Sequence, residues 1–296
     1  MVKKISVLPS YSLIRKERGL LLLKEVYKDL LLRYGVEEIE TLIEKNREAS
    51  TFVVGRTIHP SIPIQGGRRM IVRKYTHGGL LRALSRDLYL FGSRPFQELA
   101  ITEEIRSCGL PTIEPIGAIR QAVFPFFYKG YFLSLEIPHA VDLLHYLQST
   151  LTPSLQDILA RRRILRSIAL LLKQFHESGF LHSDLQLRNI LISEGRPLLI
   201  DFDRSYRKKR LTAQDKIQNL LRLHRSAEKW QRLGLPITRT DRWRFFLIYA
   251  GEDKLLHEAM RKALRVYSIR SFFHRLGWAF EGIIRRAKRA EGDREN

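Results

Sequence analysis

Cysteine is nearly absent: Cys108 is the only one in 296 residues. A single thiol excludes an internal disulfide framework and a cysteine-rich zinc site, argues against redox chemistry, and is compatible with a reducing cytosol. Long apolar runs are lacking too. The longest purely apolar stretches, such as Leu20–Leu23, fall far short of the roughly 18 residues needed to span a bilayer, and the N-terminus has neither an apolar signal core nor a cleavage site. A soluble or peripheral protein is expected. No repeat, low-complexity segment, helix-turn-helix, zinc-finger or RNA-binding signature occurs, so only charge argues for nucleic acid, and no nucleic-acid partner is expected. Acidic residues are scarce: 31 Asp and Glu face 52 Lys and Arg, giving a formal charge of +21. That excess predicts an anionic partner, whether nucleic acid, a membrane surface or an acidic substrate. With 44% hydrophobic residues, the chain can bury a substantial core, enough for one two-lobed enzyme or two domains.

What is present is concentrated in Phe180–Tyr206, FLHSDLQLRNILISEGRPLLIDFDRSY. Asp184 follows His182 by two residues, Asn189 lies five further on, and a short hairpin closes on Asp201. Phosphoryl transfer needs a carboxylate to orient the attacking hydroxyl and oxygen ligands to hold Mg²⁺ against the phosphates of ATP, because its catalysis is mostly positioning and charge neutralisation. Asp184 fits the first role, and Asn189 and Asp201 the second. Ile190–Ile192 and Leu198–Phe202 read as two strands around a turn at Ser193–Pro197, which brings Asn189 and Asp201 to one end. Taken singly, each residue has a plainer reading: an Asp caps or turns, and His182 is a satisfied core histidine. The joint pattern points to a nucleotide-phosphate site.

Upstream, residues 51–58 and 68–75 read as strands, with Gly66 and Gly67 marking a tight turn before the second. A helix is expected over Phe96–Ser107, and an apolar strand, Tyr131–Ile137, ends at Pro138, the expected hinge. Beyond it the pattern is helical. Ser154 and Asp157 form a capping-box pattern, Ile158, Leu165, Ile168, Leu172 and Phe175 follow helical spacing, and Gly179 suits the position after the helix end. Gly55 and Arg56, ending the first strand, are candidates to cover phosphate, although one glycine is a weak substitute for a glycine-rich loop. In the second strand Arg73 and Lys74 face opposite sides, so either supplies the inward cation. Glu98 is its best partner, with Glu103 and Glu104 read as solvated. Arg188, beside Asn189, is counted with the nucleotide-binding residues.

The blocks IVRKYTHGGLLRALSRDLYLF, RPFQELAITEEIRSCGLPTIEPIG, LSLEIPHAVDLL, HSDLQLRNILI, LLIDFDRS and NLLRLHRSAEK resemble the 3-deoxy-D-manno-octulosonic acid (Kdo) kinase family, within the lipopolysaccharide kinase group, over about residues 51–230. The resemblance implies an α+β, protein-kinase-like two-lobed fold and ATP-dependent phosphorylation of the Kdo sugar on a lipid A precursor, at the cytoplasmic face of the inner membrane. By motif it places the general base on Asp184, the metal ligands on Asn189 and Asp201, the phosphate-binding cation on Arg73 and its helix partner on Glu98. The expected organisation is a helical extension of unknown role over 1–50, an N-lobe over 51–137, and a C-lobe over 138–296.

The departures from protein kinases are informative. Ser183 stands where an arginine would sense a phosphorylated activation loop, and no Ala-Pro-Glu follows, so regulation by loop phosphorylation is not expected. Asp203 replaces the glycine of Asp-Phe-Gly. Arg73 replaces lysine, offering a planar fork to phosphate oxygens. Arg204, Arg207, Lys208, Lys209 and Arg210 follow in the acceptor region. They read either as a solvated basic loop or as a grip on an anionic glycolipid's carboxylate and phosphates. Phe273, Leu276, Phe280 and Ile284 recur at helical spacing among arginines and lysines over 269–290, the pattern of a helix lying on an anionic membrane or docked on the C-lobe. Another acceptor sugar, small molecule or protein is the alternative, and a catalytically dead basic binding module is disfavoured by the intact Asp184, Asn189 and Asp201.

Overall fold

A computed structural model describes residues 8–47, 51–54, 58–76, 87–90, 92–123, 126–149 and 154–265, with the side chains of 51–54 and 58 excepted. Gly55, Arg56 and the basic C-terminal segment 269–290 lie outside the described residues.

The N-lobe is an antiparallel sheet with strand order β1(Tyr11–Lys16), β2(Gly19–Lys24), β7(Pro115–Ala122), β8(Phe127–Leu135), β5(Arg68–Lys74), β4(Ile58–Ile64), β3(Thr51–Val54), and with β6(Tyr89–Leu90) also paired to β8. Residues 8–47, the described part of 1–50, therefore do not form a helical extension. The leucine run expected to be helical over 20–32 divides into strand β2 and a helix, α1(Glu25–Arg33). The reason is burial on both faces. Leu22 packs with Tyr75, Phe96, Leu99 and Phe132, while Leu21 and Leu23 pack with Leu31, Val36, Ile39 and Leu42. A strand covered on both sides needs no polar alternation, so its apolar run cannot be told from a helix by period. α1 and α2(Ile39–Lys45) supply one cover and α3(Arg94–Ser107) the other.

Strand β4 carries Pro60 and Pro63 between β3 and β5, an unusual place for residues that cannot donate to a ladder, and the sequence reading passed over it. The turn into β5 is as expected: Gly66 and Gly67 have φ of 82° and 69°, values that suit glycine.

The C-lobe packs α4(Leu143–Gln148), α5(Leu155–Glu177), α6(Ala213–Arg232) and α7(Arg239–Ala250) around one core that includes Ile168, Leu172, Phe175, Phe180, Phe202, Ile217 and Tyr249. The expected Ser154–Asp157 capping box starts α5, and equivalent boxes, Thr212–Asp215 and Thr238–Asp241, start α6 and α7. Such caps satisfy amide groups that the first helical turn leaves unpaired. Gly179 follows α5 at φ 88°, where an added Cβ would collide with the Lys208 carbonyl oxygen. The site sequence lies on β10(Phe180–Leu181), a loop, the hairpin β11(Ile190–Ser193) and β12(Arg196–Leu199), whose first strand also pairs with β9(Val141–Asp142), and β13(Tyr206–Arg207), which pairs with β10. This is a protein-kinase-like two-lobed α+β fold.

Candidate active site

Strand alternation decides the Arg73/Lys74 question. Arg73 points toward α3 and the hairpin end: its guanidinium pairs with Glu98, and its Nη1 donates to Asp201 Oδ1 at 2.5 Å. Lys74, on the opposite face, pairs with Glu40 and Asp87 at 3.1 and 2.5 Å. The Tyr75 hydroxyl donates to Glu98, and the Arg73 guanidinium lies 4.9 Å from the Tyr75 ring and 5.4 Å from the Phe132 ring. Burial pushes the Glu98 carboxyl up to about 7, against the pull of Arg73. Burial also works against charge on Asp201, yet Arg73 holds that carboxyl below its ordinary range. The Arg73 guanidinium, flanked by two carboxylates, stays charged. His59 on β4 is half-buried, and its burial, reinforced by Arg73 and opposed by Asp201, lowers its pKa to about 4.

The loop after β10 presents Asp184. It is exposed, and its Oδ2 accepts from Gln186 Nε2 at 2.7 Å. His182 shapes the loop beneath it. Its Nε2 donates to the Ile200 carbonyl at 2.9 Å, and its Nδ1 accepts the Asp184 amide at 3.1 Å. Burial pushes its pKa down, and the neutral tautomer suits both bonds. The satisfied-histidine reading is therefore the correct one for His182. Asn189 is buried, and its Nδ2 donates to the Asp184 carbonyl at 2.8 Å. The Ile200 amide donates to the Asn189 carbonyl at 3.0 Å, joining the two ends of the hairpin beside Asp201.

Asn189 and Asp201 offer an amide oxygen and a carboxylate, the all-oxygen donor set that suits Mg²⁺ completed by phosphates and water. Among the described residues no group of three or more His, Cys, Asp or Glu side chains could hold a metal alone. The donor set fits an ion carried in with its nucleotide rather than a dedicated cage.

Other expected site residues are placed differently. Arg188 lies over the Trp230 ring of α6 at 5.3 Å. In the basic cluster, Arg207 pairs with Glu104 at 2.7 Å and donates to the Ser178 carbonyl at 2.9 Å, while Lys208 pairs with Asp215 at 2.8 Å. Both are occupied by structural partners. Arg204, Lys209 and Arg210 are exposed. Glu103, expected to be solvated, accepts from the Tyr11 hydroxyl at 2.5 Å and meets Lys24 at 3.2 Å, tying α3 to β1 and β2.

Several supporting residues were missed. Asn219 on α6 donates to the His182 carbonyl at 2.6 Å and accepts from the His182 amide at 3.3 Å and His176 Nε2 at 2.9 Å. The Tyr249 hydroxyl meets His176 Nδ1 at 2.6 Å. Arg94 at the start of α3 grips Asp203. Such contacts join residues tens of positions apart, and no local spacing encodes them.

The sequence model of the lipopolysaccharide kinase (Kdo/WaaP) family matches residues 48–249. The chain belongs to that family. A 3-deoxy-D-manno-octulosonic acid kinase of Pasteurella multocida (strain Pm70) is 33% identical over 171 residues, 55% of this chain and 67% of that protein. The enzyme of the same name from Photobacterium damsela subsp. piscicida is 29% identical over 189 residues, 62% and 74% respectively. Among solved structures, WaaP in complex with acyl carrier protein superposes with a TM-score of 0.51 and 19% identity, covering 83% of this chain and 99% of that one. At that identity the likeness establishes the two-lobed fold. The family makes this lipopolysaccharide kinase a phosphotransferase, and kinase membership implies use of ATP.

Proposed function

We propose that the chain transfers the γ-phosphoryl group of ATP to a hydroxyl of the Kdo sugar on a lipid A precursor, with Asp184 as general base, Asn189 and Asp201 as Mg²⁺ ligands, and Arg73 held by Glu98 against the nucleotide phosphates. The observation that carries the reading is the convergence of Arg73, Glu98 and Asp201 from three separate elements, with the exposed Asp184 tied through His182 to Ile200, the neighbour of Asp201, and through its own carbonyl to Asn189. Mg²⁺, when bound, neutralises phosphate charge and aligns the phosphates for in-line displacement. Asp184 receives the proton of the acceptor hydroxyl as its oxygen bonds to the γ-phosphorus and the bond to the β-phosphate oxygen breaks, releasing ADP. Arg73 directs donors toward developing charge on the phosphate oxygens.

The relatives' shared name supports a Kdo acceptor. The charge of +21 and the exposed Arg204, Lys209 and Arg210 support an anionic glycolipid presented at an anionic membrane surface. No helix among the described residues is long and apolar enough to cross a membrane, which fits a peripheral position at the cytoplasmic face of the inner membrane. Membership of a family of lipopolysaccharide kinases that is not confined to Kdo kinases supports one alternative, another sugar of the lipopolysaccharide core. Incubation with ATP, Mg²⁺ and Kdo-lipid A, followed by mass analysis of the lipid and its sugar fragments, tests both. One added phosphate on the Kdo fragment is expected. Transfer only to a substrate carrying further core sugars moves the assignment to the alternative, and no transfer to either removes the lipopolysaccharide acceptor.

A further inference from the structure

Asp201 and Arg204 have φ of 65° and 58°, a left-handed conformation that residues bearing a Cβ adopt rarely and keep only where their surroundings hold it. Phe202, between them, is buried, its ring 6.0 Å from Phe175 and 5.2 Å from His182. The Ser183 hydroxyl donates to the Asp203 carbonyl, and the Ser183 amide donates to Ser205 Oγ at 3.1 Å. The side chain of Asp203 is fixed from the other lobe. Arg94 Nε donates to its Oδ1 at 2.5 Å, and Arg94 Nη2 donates to its Oδ2. The same guanidinium lies 5.0 Å from the Tyr89 ring and 5.4 Å from the Tyr75 ring.

The helix that carries Arg94 is itself fixed. Pro95 sits so close to Gly130 that a Cβ there would approach its Cγ to 2.7 Å. Along α3, Arg94 reaches Asp203, Glu98 reaches Asp201 through Arg73, and Glu104 reaches Arg207. One helix thus engages the 201–207 segment at its beginning, middle and end.

We propose that Arg94 and Asp203 form a latch that holds the strained Asp201–Arg204 backbone, so that α3 sets the position of the metal-binding carboxylate through the chain's own charges rather than through an added phosphate. The inference rests on Asp201 as the Mg²⁺ ligand. Arg94 is then a positioning residue, and the carboxylate at 203, where protein kinases have glycine, is there to be gripped. The planar fork of arginine suits two carboxylate oxygens as a lysine ammonium does not.

The test uses the full chain and titrates binding of a non-hydrolysable ATP analogue against Mg²⁺, with no acceptor present, so that a wrong acceptor assignment leaves the measurement intact. Arg94→Met and Asp203→Asn change local charge in opposite senses. A latch requires both to raise the Mg²⁺ concentration for half-maximal binding, each by about tenfold, the scale of residues that orient metal ligands. The double variant should be no worse than the worse single, Arg94→Lys should recover only part, and metal-free analogue affinity should move much less. Shifts of opposite sign, multiplying losses in the double variant, or a lowered melting temperature with unchanged Mg²⁺ dependence would overturn the latch. Asp201→Ala is the control for the underlying reading: if it leaves the Mg²⁺ dependence unchanged, Asp201 is not the ligand and the latch falls with it.

Discussion

The two sides of the candidate site are held by opposite chemistry. Where the two lobes meet, ion pairs join Arg73 to Glu98 and Asp201, and Arg94 to Asp203. Beneath the loop on the C-lobe side, His182, Asn219, His176 and Tyr249 form a neutral network, closed by bonds of 2.6 to 3.3 Å and packed against Phe175 and Phe202. Phosphate and a cation compete with ion pairs but not with neutral buried hydrogen bonds. On the proposed reading, a side held by charge can rearrange as the nucleotide arrives, while Asp184, the proposed base, stays where the fold puts it. Substitutions on the charged side should therefore appear in nucleotide and Mg²⁺ dependence, and those in the neutral floor as stability.

The largest expected effect is on the loop the floor supports. Asp184→Asn should lower kcat by about a thousandfold, because it removes the proton acceptor, while analogue binding measured by calorimetry stays close to that of the parent chain. Substantial turnover in this variant would remove Asp184 as the base. Asn219→Leu comes next. It strips partners from the His182 amide and carbonyl and from His176 at once, and should cost about 3 kcal/mol in chemical unfolding. If unfolding is unchanged while the KM for ATP rises, the division between the two sides is wrong.

On the charged side, Arg73→Ala should reduce kcat/KM for ATP by about a hundredfold, the scale of losing a positioned donor. Glu98→Gln should follow in the same direction with a smaller loss, and Lys74→Ala should be nearly silent. A large loss with Lys74→Ala would reverse the facing of β5. Smaller is the acid response of the floor. Burial holds His176 neutral, its pKa falling from 6.5 to about 4, so the unfolded chain binds a proton between those values that the folded chain refuses. Stability is complete above about 6.5 and is lost as the pH falls toward 4, with His176 accounting for about 2 kcal/mol by pH 5. His176→Gln should flatten this dependence without abolishing it, since His59 and His182 are also shifted down. An identical slope in the variant would place the acid sensitivity elsewhere.

Local pattern was sufficient wherever chemistry and chain direction coincide. The spacing of Asp184, Asn189 and Asp201 follows from one loop and the hairpin after it, so the sequence alone places these three candidates near one another. The capping box at Ser154 and the glycine turn at 66–67 are likewise decided within a few residues. Two-sided burial erased the period that would have marked β2, and the prolines of β4 masked a strand whose pairing is supplied by β3 and β5.

By itself the sequence determined which groups can do the chemistry: three oxygen-bearing side chains at fixed spacing, a cation in the neighbouring strand pair, a carboxylate on the following helix, and a surplus of positive charge. Tertiary structure alone decided which copies of those groups meet. It turned Arg73 inward and Lys74 outward, took Arg188 to Trp230, Arg207 to Glu104 and Lys208 to Asp215, and brought Arg94 to Asp203 across 109 intervening steps of chain. The reason is physical. Residue type and local spacing set what a side chain can bind, but a charge takes the partner that packing places within reach, and packing is a property of the whole fold.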